Sequence, residues 1–311
     1  MALTIGQMAA VSYASVITDK NKKAANQWAE SAYIRALDKL GAIERKNLGE
    51  TIEAPLDYRR NPGAKFLAND LTPVSLAKTE VITAASYSIA QISVPVVWSK
   101  GDDAKNPSEN QKINFVTQLL DNNIQSHDDL MEEALFTTST DGFLGMATII
   151  PTSGQGTVGG IDASTEVFWR NPADTYLADG SDIESVLTEL WNSATKGTGG
   201  MAPKLLVSGA EANALFESTQ VTQQRFMGVE LDAGFKTIAF KSAPYVFSQY
   251  GDDKIYGVNP RSFKVVVSKQ YFRDKGETRE LEEGNGFVFK IYSALQTITN
   301  NKSRLFVASE A

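Results

Sequence analysis

The stretch PSENQKINFVTQLLDNNIQSHDDLMEEALFT, residues 107–137, decides the fold. Its apolar residues Ile113, Val116, Leu120, Ile124, Met131 and Leu135 are spaced by three, four or seven positions, which places them on one face of a 3.6-residue helix. Pro107 and Glu109 suit a first turn, where proline's missing N–H costs nothing and a carboxylate meets the positive end of the helix dipole. At 1.5 Å per residue the predicted helix is roughly 45 Å long, well above the globular average. Such a helix can serve as a backbone on which other elements hang.

On its N-terminal side the pattern changes to period two. Thr79-Glu80-Val81-Ile82-Thr83 and Tyr87-Ser88-Ile89-Ala90-Gln91-Ile92-Ser93-Val94 alternate, with Pro55, Pro62, Pro73 and Pro95 as punctuation, and predict a long β-hairpin between Gly49 and Asn106. Its turn region, Asp57 to Lys65, is basic and holds little apolar material. A two-stranded ribbon is marginal alone in water, so this one is expected to lie on something else. Further upstream, Thr18 to Leu48 combines helix formers with a sparse apolar stripe (Ala25, Trp28, Ala32, Ile34, Leu37, Leu40) behind Lys20, Lys22 and Lys23.

On the C-terminal side a Gly- and Thr-rich stretch from Gly142 to Gly160 precedes an amphipathic helix, Ile183 to Lys196, striped by Val186, Leu187, Leu190, Trp191 and Ala194. A short strand (204–208), a helix (210–217) and strands at 235–240, 245–248, 254–258 and 262–268 follow. The segment Gly286 to Ala311 alternates again as Phe287-Val288-Phe289-Lys290-Ile291-Tyr292 and ends with Arg304-Leu305-Phe306-Val307. Helices and strands do not alternate regularly, which predicts an α+β fold and excludes a doubly wound parallel sheet. No fixed-period repeat is present.

Composition sets the outer limits. A chain of 311 residues with 42% hydrophobic and 22% charged residues can bury a sizeable core. With no cysteine, neither disulfides nor thiolate metal sites are available. A formal charge of -7 repels a phosphate backbone at long range and argues against sequence-specific nucleic-acid binding. No stretch is apolar for long enough to span a membrane, and Met-Ala-Leu-Thr-Ile-Gly-Gln lacks the pattern of a secretory signal, so the reading is cytosolic.

The motifs that point to chemistry are weak. Gly154-Gln155-Gly156-Thr157-Val158-Gly159 has the form G-x-G-x-x-G, but Gly160 and a β-branched, Trp-containing run follow it where a dinucleotide site needs a helix N-terminus. A flexible loop is the expected reading. His127-Asp128-Asp129-Leu130-Met131-Glu132-Glu133 places an imidazole and four carboxylates on the long helix, as a metal site might begin. No second carboxylate–histidine cluster complements it, so an acidic face open to solvent or to a neighbour's basic residues is expected. His127 is the single histidine, and no G-x-S-x-G nucleophile motif accompanies it. The sequence therefore assigns no catalytic residue, metal or cofactor.

The order of elements resembles the major capsid proteins of tailed bacteriophages, the HK-ninety-seven-type fold. Its most specific parts are Gly159-Gly160-Ile161-Asp162-Ala163-Ser164-Thr165-Glu166-Val167-Phe168-Trp169-Arg170-Asn171, Gln224-Arg225, Gly234 to Pro244 and Lys254 to Ser262. The resemblance implies an N-terminal arm (1–48), an extended hairpin loop (49–106) and a spine helix that opens the first part of a peripheral domain (107–175). An axial domain (176–261) and C-terminal strands returning to the peripheral domain (262–311) complete it. It implies no enzyme, but a coat protein assembling in the bacterial host cytoplasm into hexamers, pentamers and an icosahedral or prolate virion shell around double-stranded DNA. Scaffolding and portal proteins are the implied partners, with a decoration protein as a further one and no assembly-directing delta domain ahead of the short arm.

Under that resemblance the hairpin lies over the adjacent subunit. Its residues Tyr58, Arg59, Arg60 and Lys65 then meet acidic residues across the seam, with Asp128, Asp129, Glu132 and Glu133 as the expected partners. An exposed pair contributes only about 0–1 kcal/mol, so cohesion has to come from repetition and apolar contact. Two alternatives stand beside this reading: an encapsulin-type cargo shell of the same fold, and a cytosolic metal-dependent hydrolase built on the His127 cluster.

Overall fold

A computed structural model describes residues 32–59, 61, 63–67, 80–105, 109–137, 141–195, 202–220, 239–241, 243–281 and 284–311. Arg60, Lys20, Lys22, Lys23, Gln224-Arg225 and residues 234–238 lie outside these residues.

The chain opens with helix α1 (Ala32–Lys39) and strand β1 (Ile43–Lys46), then forms the hairpin strands β2 (Thr51–Asp57) and β3 (Ile82–Ser88). Strand β4 (Ala90–Ser99) and a short helix α2 (Lys100–Lys105) lead into the long helix α3 (Glu109–Phe136). The expected helix of 107–137 is thus found almost to the residue. Beyond it come a single helical turn α4 (Met146–Ile149) and a miniature hairpin of β5 (Thr157–Val158) and β6 (Ile161–Asp162). Next are β7 (Ala173–Tyr176), α5 (Ile183–Thr195), β8 (Leu205–Gly209), α6 (Ala210–Gln220), β9 (Ala239–Phe240), β10 (Ala243–Ser248) and β11 (Ile255–Val258). The chain ends with β12 (Phe263–Ser268), β13 (Asp274–Lys275), β14 (Arg279–Glu280), the 14-residue strand β15 (Gly286–Thr299) and β16 (Phe306–Glu310). Among the described residues no helix is long and apolar enough to cross a membrane.

Two sheets organise these elements. In the first, β15 pairs with β12, β13 and β14 and, from Ser99↔Gly286 to Ala90↔Leu295, with β4; β1 joins β12 in parallel. The second has the order β7-β16-β11-β8-β10-β9. Alternate residues of β8 serve two cores: Leu205 and Val207 face the main core with α1 and the C-terminal half of α3, whereas Leu206 faces a second core made by α5 and α6. Burial on both faces explains why β8 reads as a continuous apolar run. A third cluster, Val96, Trp98, Leu120, Ile124, Phe289 and Ile291, packs the N-terminal half of α3 on the β4–β15 ribbon. At about 1.5–3 kcal/mol per buried large side chain, these contacts fix the helix as the spine of the molecule.

Three expectations need correction. The described part of the segment expected as an N-terminal arm is built into the body: Tyr33, Ile34 and Leu37 of α1 are buried in the main core, and β1 completes the first sheet. The stretch 49–106 is not one projection, because β4 leaves the hairpin at Ser88 and pairs with β15. Nor do residues 262–311 form one unit; β12 and β15 lie in the first sheet, but β16 crosses into the second between β7 and β11.

The hairpin stem corrects a fourth. It was expected to rest on a neighbour, yet Ala54, Leu56, Ala85 and Tyr87 are buried against the chain's own body. The Tyr87 hydroxyl donates to Thr299 O at 2.7 Å, and Ser86 N–H donates to Gly159 O at 3.0 Å. Gly159 makes this seat possible: its φ is +62, and a Cβ there would stand 2.6 Å from Ala85 Cβ and 3.1 Å from Tyr87 Cζ. Only the outer part of the ribbon lacks cover, with Phe66 fully exposed and Ile82 71% exposed.

Replacing Gly159 by alanine is expected to lower the stability of the chain by about 1–3 kcal/mol in urea unfolding, through backbone strain and the clash with the stem. Gly160→Ala, at φ +78 but with nothing within 4 Å, should cost less. The combination Gly159→Ala with Ala85→Gly should recover part of the loss. Equal costs at Gly159 and Gly160 would show that the stem is not seated there.

The turn between β15 and β16 generates a second prediction. Lys302 is fully buried and its Nζ has no hydrogen-bond partner; burial depresses its pKa from 10.5 to about 8. Between those values the unfolded chain binds more protons than the folded one, so this residue withholds stability at neutral pH and returns it as pH rises toward 10. Lys302→Met should therefore be more stable than the parent at pH 7, by about 1–3 kcal/mol, with the gap narrowing by pH 9.5. Buried tyrosines affect both proteins alike, so a gap that stays constant with pH counts against this account.

Candidate functional site

The sequence drew attention to two groups of residues, one on the hairpin and one on α3. On the hairpin, Tyr58 stacks on Phe168 with ring centroids 4.6 Å apart, and its hydroxyl donates to Glu80 O at 3.2 Å. Its ring is therefore half-buried on the chain's own 159–171 loop. Arg59 and Lys65 are exposed, and a tight turn shapes the tip, where the Asn61 side chain accepts from Gly63 N–H at 2.9 Å. Phe66 and Leu67 follow as exposed apolar residues. This part of the hairpin thus combines positive charge with apolar surface that the described residues leave uncovered.

The loop that receives Tyr58 is the most specific segment of the sequence, and its residues are consumed in holding it together. Asp162 accepts from Ser164 N–H at 2.8 Å and from Ser164 Oγ at 2.7 Å. Arg170 donates through Nε to Ala163 O at 2.8 Å and through Nη2 to Ser164 O at 2.9 Å, while Trp169 Nε1 donates to Val158 O at 3.0 Å. Asn171 Nδ2 closes the loop onto Pro151 O at 3.1 Å. Gly159 and Gly160, at φ +62 and +78, form the turn of the β5–β6 hairpin and do not open a helix. The formal G-x-G-x-x-G run is a structural loop.

On α3 the four acids divide. Asp129 and Glu133 are exposed. Asp128 and Glu132 have partners within the chain. Glu132 accepts from Ser248 Oγ at 2.5 Å and so ties the spine to β10. Asp128 Oδ1 takes an ion pair from Arg273 and lies 3.2 Å from His127 Nδ1.

His127 itself is completely buried, with Nε2 2.9 Å from Ser293 Oγ. Ser293 Oγ already accepts the Arg273 backbone N–H at 2.9 Å. The Asp128 carboxylate accepts only, so in a neutral imidazole it assigns the ring hydrogen to Nδ1, and Nε2 then accepts the serine hydrogen. Asp128, His127 and Ser293 thus stand in the order of a hydrolytic triad, but Ser293 and His127 have no exposed surface on which a substrate could settle. Both ring nitrogens are engaged by protein groups, which leaves none for a metal. Among the described residues no group of three or more His, Cys, Asp or Glu is placed to hold an ion. What the network does is mechanical: it clamps the spine helix, the Arg273 turn at φ +52 and strand β15 to one another.

Arg273 and Ser293 were not legible as partners of His127, because they lie 145 and 166 residues away from the helix residues they bond. The same holds for Gln296, whose Nε2 donates to Gly142 O at 2.7 Å and to Ser88 O at 2.6 Å. It joins the hairpin exit to the end of the spine region.

No protein-family model and no curated protein matches the sequence. Solved structures do match over most of the chain. The capsid of cyanophage A-1(L) aligns with a TM-score of 0.58 at 14% identity, covering 86% of this chain and 90% of that one. The capsid of a native GTA particle gives 0.59 at 9% identity, covering 87% and 89%. The SrpI encapsulin of Synechococcus elongatus PCC 7942 gives 0.56 at 10% identity, covering 88% and 86%. Over most of its length the chain therefore has the HK-ninety-seven-type fold of tailed-phage capsid proteins.

Proposed function

We propose that the chain is a major capsid protein that assembles with copies of itself, as hexamers and pentamers, into an icosahedral or prolate shell around phage double-stranded DNA. The observation that carries this reading is the outer hairpin. On a fold shared along nearly its whole length with shell proteins, the chain projects Phe66 fully exposed and Leu67 half-exposed beside Arg59 and Lys65. Apolar surface on a projection is stabilised only by a partner, and a neighbouring copy supplies one at every position of a closed shell. Asp129 and Glu133, exposed on either side of the 46% exposed Leu130, are the acids on α3 available to receive the tip.

Assembly in the host cytoplasm, a scaffolding protein, a portal and a decoration protein belong to the same proposal. DNA is enclosed without sequence-specific contacts, consistent with a net charge of -7. No catalytic step is assigned to the chain, and the triad-like arrangement at His127 is sealed. The encapsulin likeness supports a second reading, a shell that loads a protein cargo.

Expressed alone and with candidate scaffolds, the chain should give capsomer rings or hollow particles in electron microscopy. Phe66→Asp should leave the unfolding transition unchanged while reducing particle yield about tenfold or more, the loss expected when a charge must be buried in an apolar contact. Unaltered particle formation by this variant would remove the hairpin from the assembly contact. A shell that co-purifies with one stoichiometric protein and never with DNA would favour the cargo reading.

A further inference from the structure

The second sheet is electrically polar. The ends of β7, β16, β8 and β10 and the start of β11 lie together, because β16 runs parallel to β7 and antiparallel to β11, and β8 runs antiparallel to β11 and parallel to β10. The loops and helix starts at that end carry Asp179, Asp182, Glu211, Asp252, Asp253 and Glu310. Among the described residues there, Lys254, 3.1 Å from Asp252, is the base that interrupts them. The opposite end gathers the start of β8, the turn between β9 and β10, the exit of β11 and the crossing from β15 to β16. There stand Lys204, Lys241, Arg261, Lys302 and Arg304.

Local demands account for part of this division. Asp182 caps the loop before α5 by accepting from Leu177 N–H at 2.8 Å, and Asp179 accepts from Ser181 N–H at 3.0 Å. Glu211 lies in the first turn of α6, where a carboxylate suits the helix dipole. Asp252, Asp253 and Glu310 serve no helix start, and nothing in secondary structure requires a basic opposite end. At that end Lys204, Lys241 and Arg261 are exposed, so their charge is open to a neighbouring copy. The two ends are separated by four to six residues of strand, about 13–20 Å.

We propose that copies of this chain associate head to tail through these ends, the acidic end of the second sheet in one subunit meeting the basic end in the next. Two different patches of opposite sign on one chain define a heterologous contact, which closes into a ring when the rotation between copies allows it. A self-complementary two-fold contact would instead bring like charges together, at a cost of several kcal/mol. The inference rests on the shell reading above, and names the surfaces by which neighbours within one ring recognise each other.

The test uses two charge-reversed proteins, neither touching a capping residue. One carries Asp252→Lys and Glu310→Lys, at positions that serve no helix start, and the other Lys204→Glu and Lys241→Glu. Each alone should keep the parent's thermal unfolding transition but require at least about tenfold more protein to form rings, read by native mass spectrometry and sedimentation, since like charges now face across the contact. An equimolar mixture should restore rings of even number and alternating composition, because each reversed end finds its complement in the other protein. Raising salt to about 1 M, where screening acts within roughly 3 Å, should weaken the parent's rings in the same assay. Rings formed by either variant alone at the parent's concentration overturn the head-to-tail assignment and leave the shell reading standing. A folded mixture that stays unassembled overturns the assignment likewise. A parent chain that remains a monomer under every condition overturns both.

Discussion

Strand β15 sets the terms for everything else in this molecule. Its residues are largely buried, so every backbone N–H and C=O along it has to find a partner. The strand achieves this by pairing with β4 from Gly286 to Leu295 and with β12 from Leu295 to Thr299, while β13 and β14 meet its outer part. Side chains along the same strand fasten the remaining pieces. Phe289 and Ile291 receive the front of the spine, Ser293 holds His127 and Gln296 holds the hairpin exit, while the backbone carbonyl of Thr299 accepts the Tyr87 hydroxyl. One further turn, through buried Lys302, delivers β16 into the second sheet. The two halves of the molecule are thus joined by a continuous covalent and hydrogen-bonded path.

That dependence explains which parts of the fold were legible in the sequence. The spine helix and α5 announce themselves because periodicity is local: Leu120, Ile124 and Met131, or Val186, Leu187 and Leu190, need only a helix to fall on one face. Strand identity was legible for the same reason. Sheet membership was not, since the alternation in Gly286 to Ala311 is identical in kind before and after Lys302 and carries no information about which neighbour each strand chooses. The hairpin's seat was illegible because it depends on an absent atom. Gly159 has no Cβ, and that absence admits Ala85 and Tyr87.

The acidic run on the spine shows the same limit at the level of the site. In the sequence Asp128, Asp129, Glu132 and Glu133 are equivalent carboxylates. In the fold the rotation of the helix gives each a different role: Asp128 turns inward to Arg273, Glu132 reaches Ser248, and Asp129 and Glu133 remain at the surface. Helical phase relative to the core decides this, and the phase is set by contacts more than a hundred residues away. The triad-like order of Asp128, His127 and Ser293 is likewise a product of packing. A buried polar group must be satisfied or it destabilises, and the network satisfies a histidine that the core would otherwise reject.

The charge distribution then bears on how such a chain can associate at all. Each copy carries a net -7, so copies repel at distances beyond their contacts, and no disulfide is available to hold them. A uniform acidic surface would make association unfavourable. Segregating the charge, with acids at one end of the second sheet and bases at the other, leaves the net repulsion in place while making one relative orientation attractive. Exposed pairs contribute only about 0–1 kcal/mol each and are screened by salt. A contact built on them is weak enough to break and re-form while a ring corrects its errors, and apolar surface such as the hairpin tip can then add cohesion once the orientation is right. In the proposed head-to-tail contact, charge would select the neighbour's orientation before apolar burial commits to it, an order of events that favours closed assemblies over disordered aggregates.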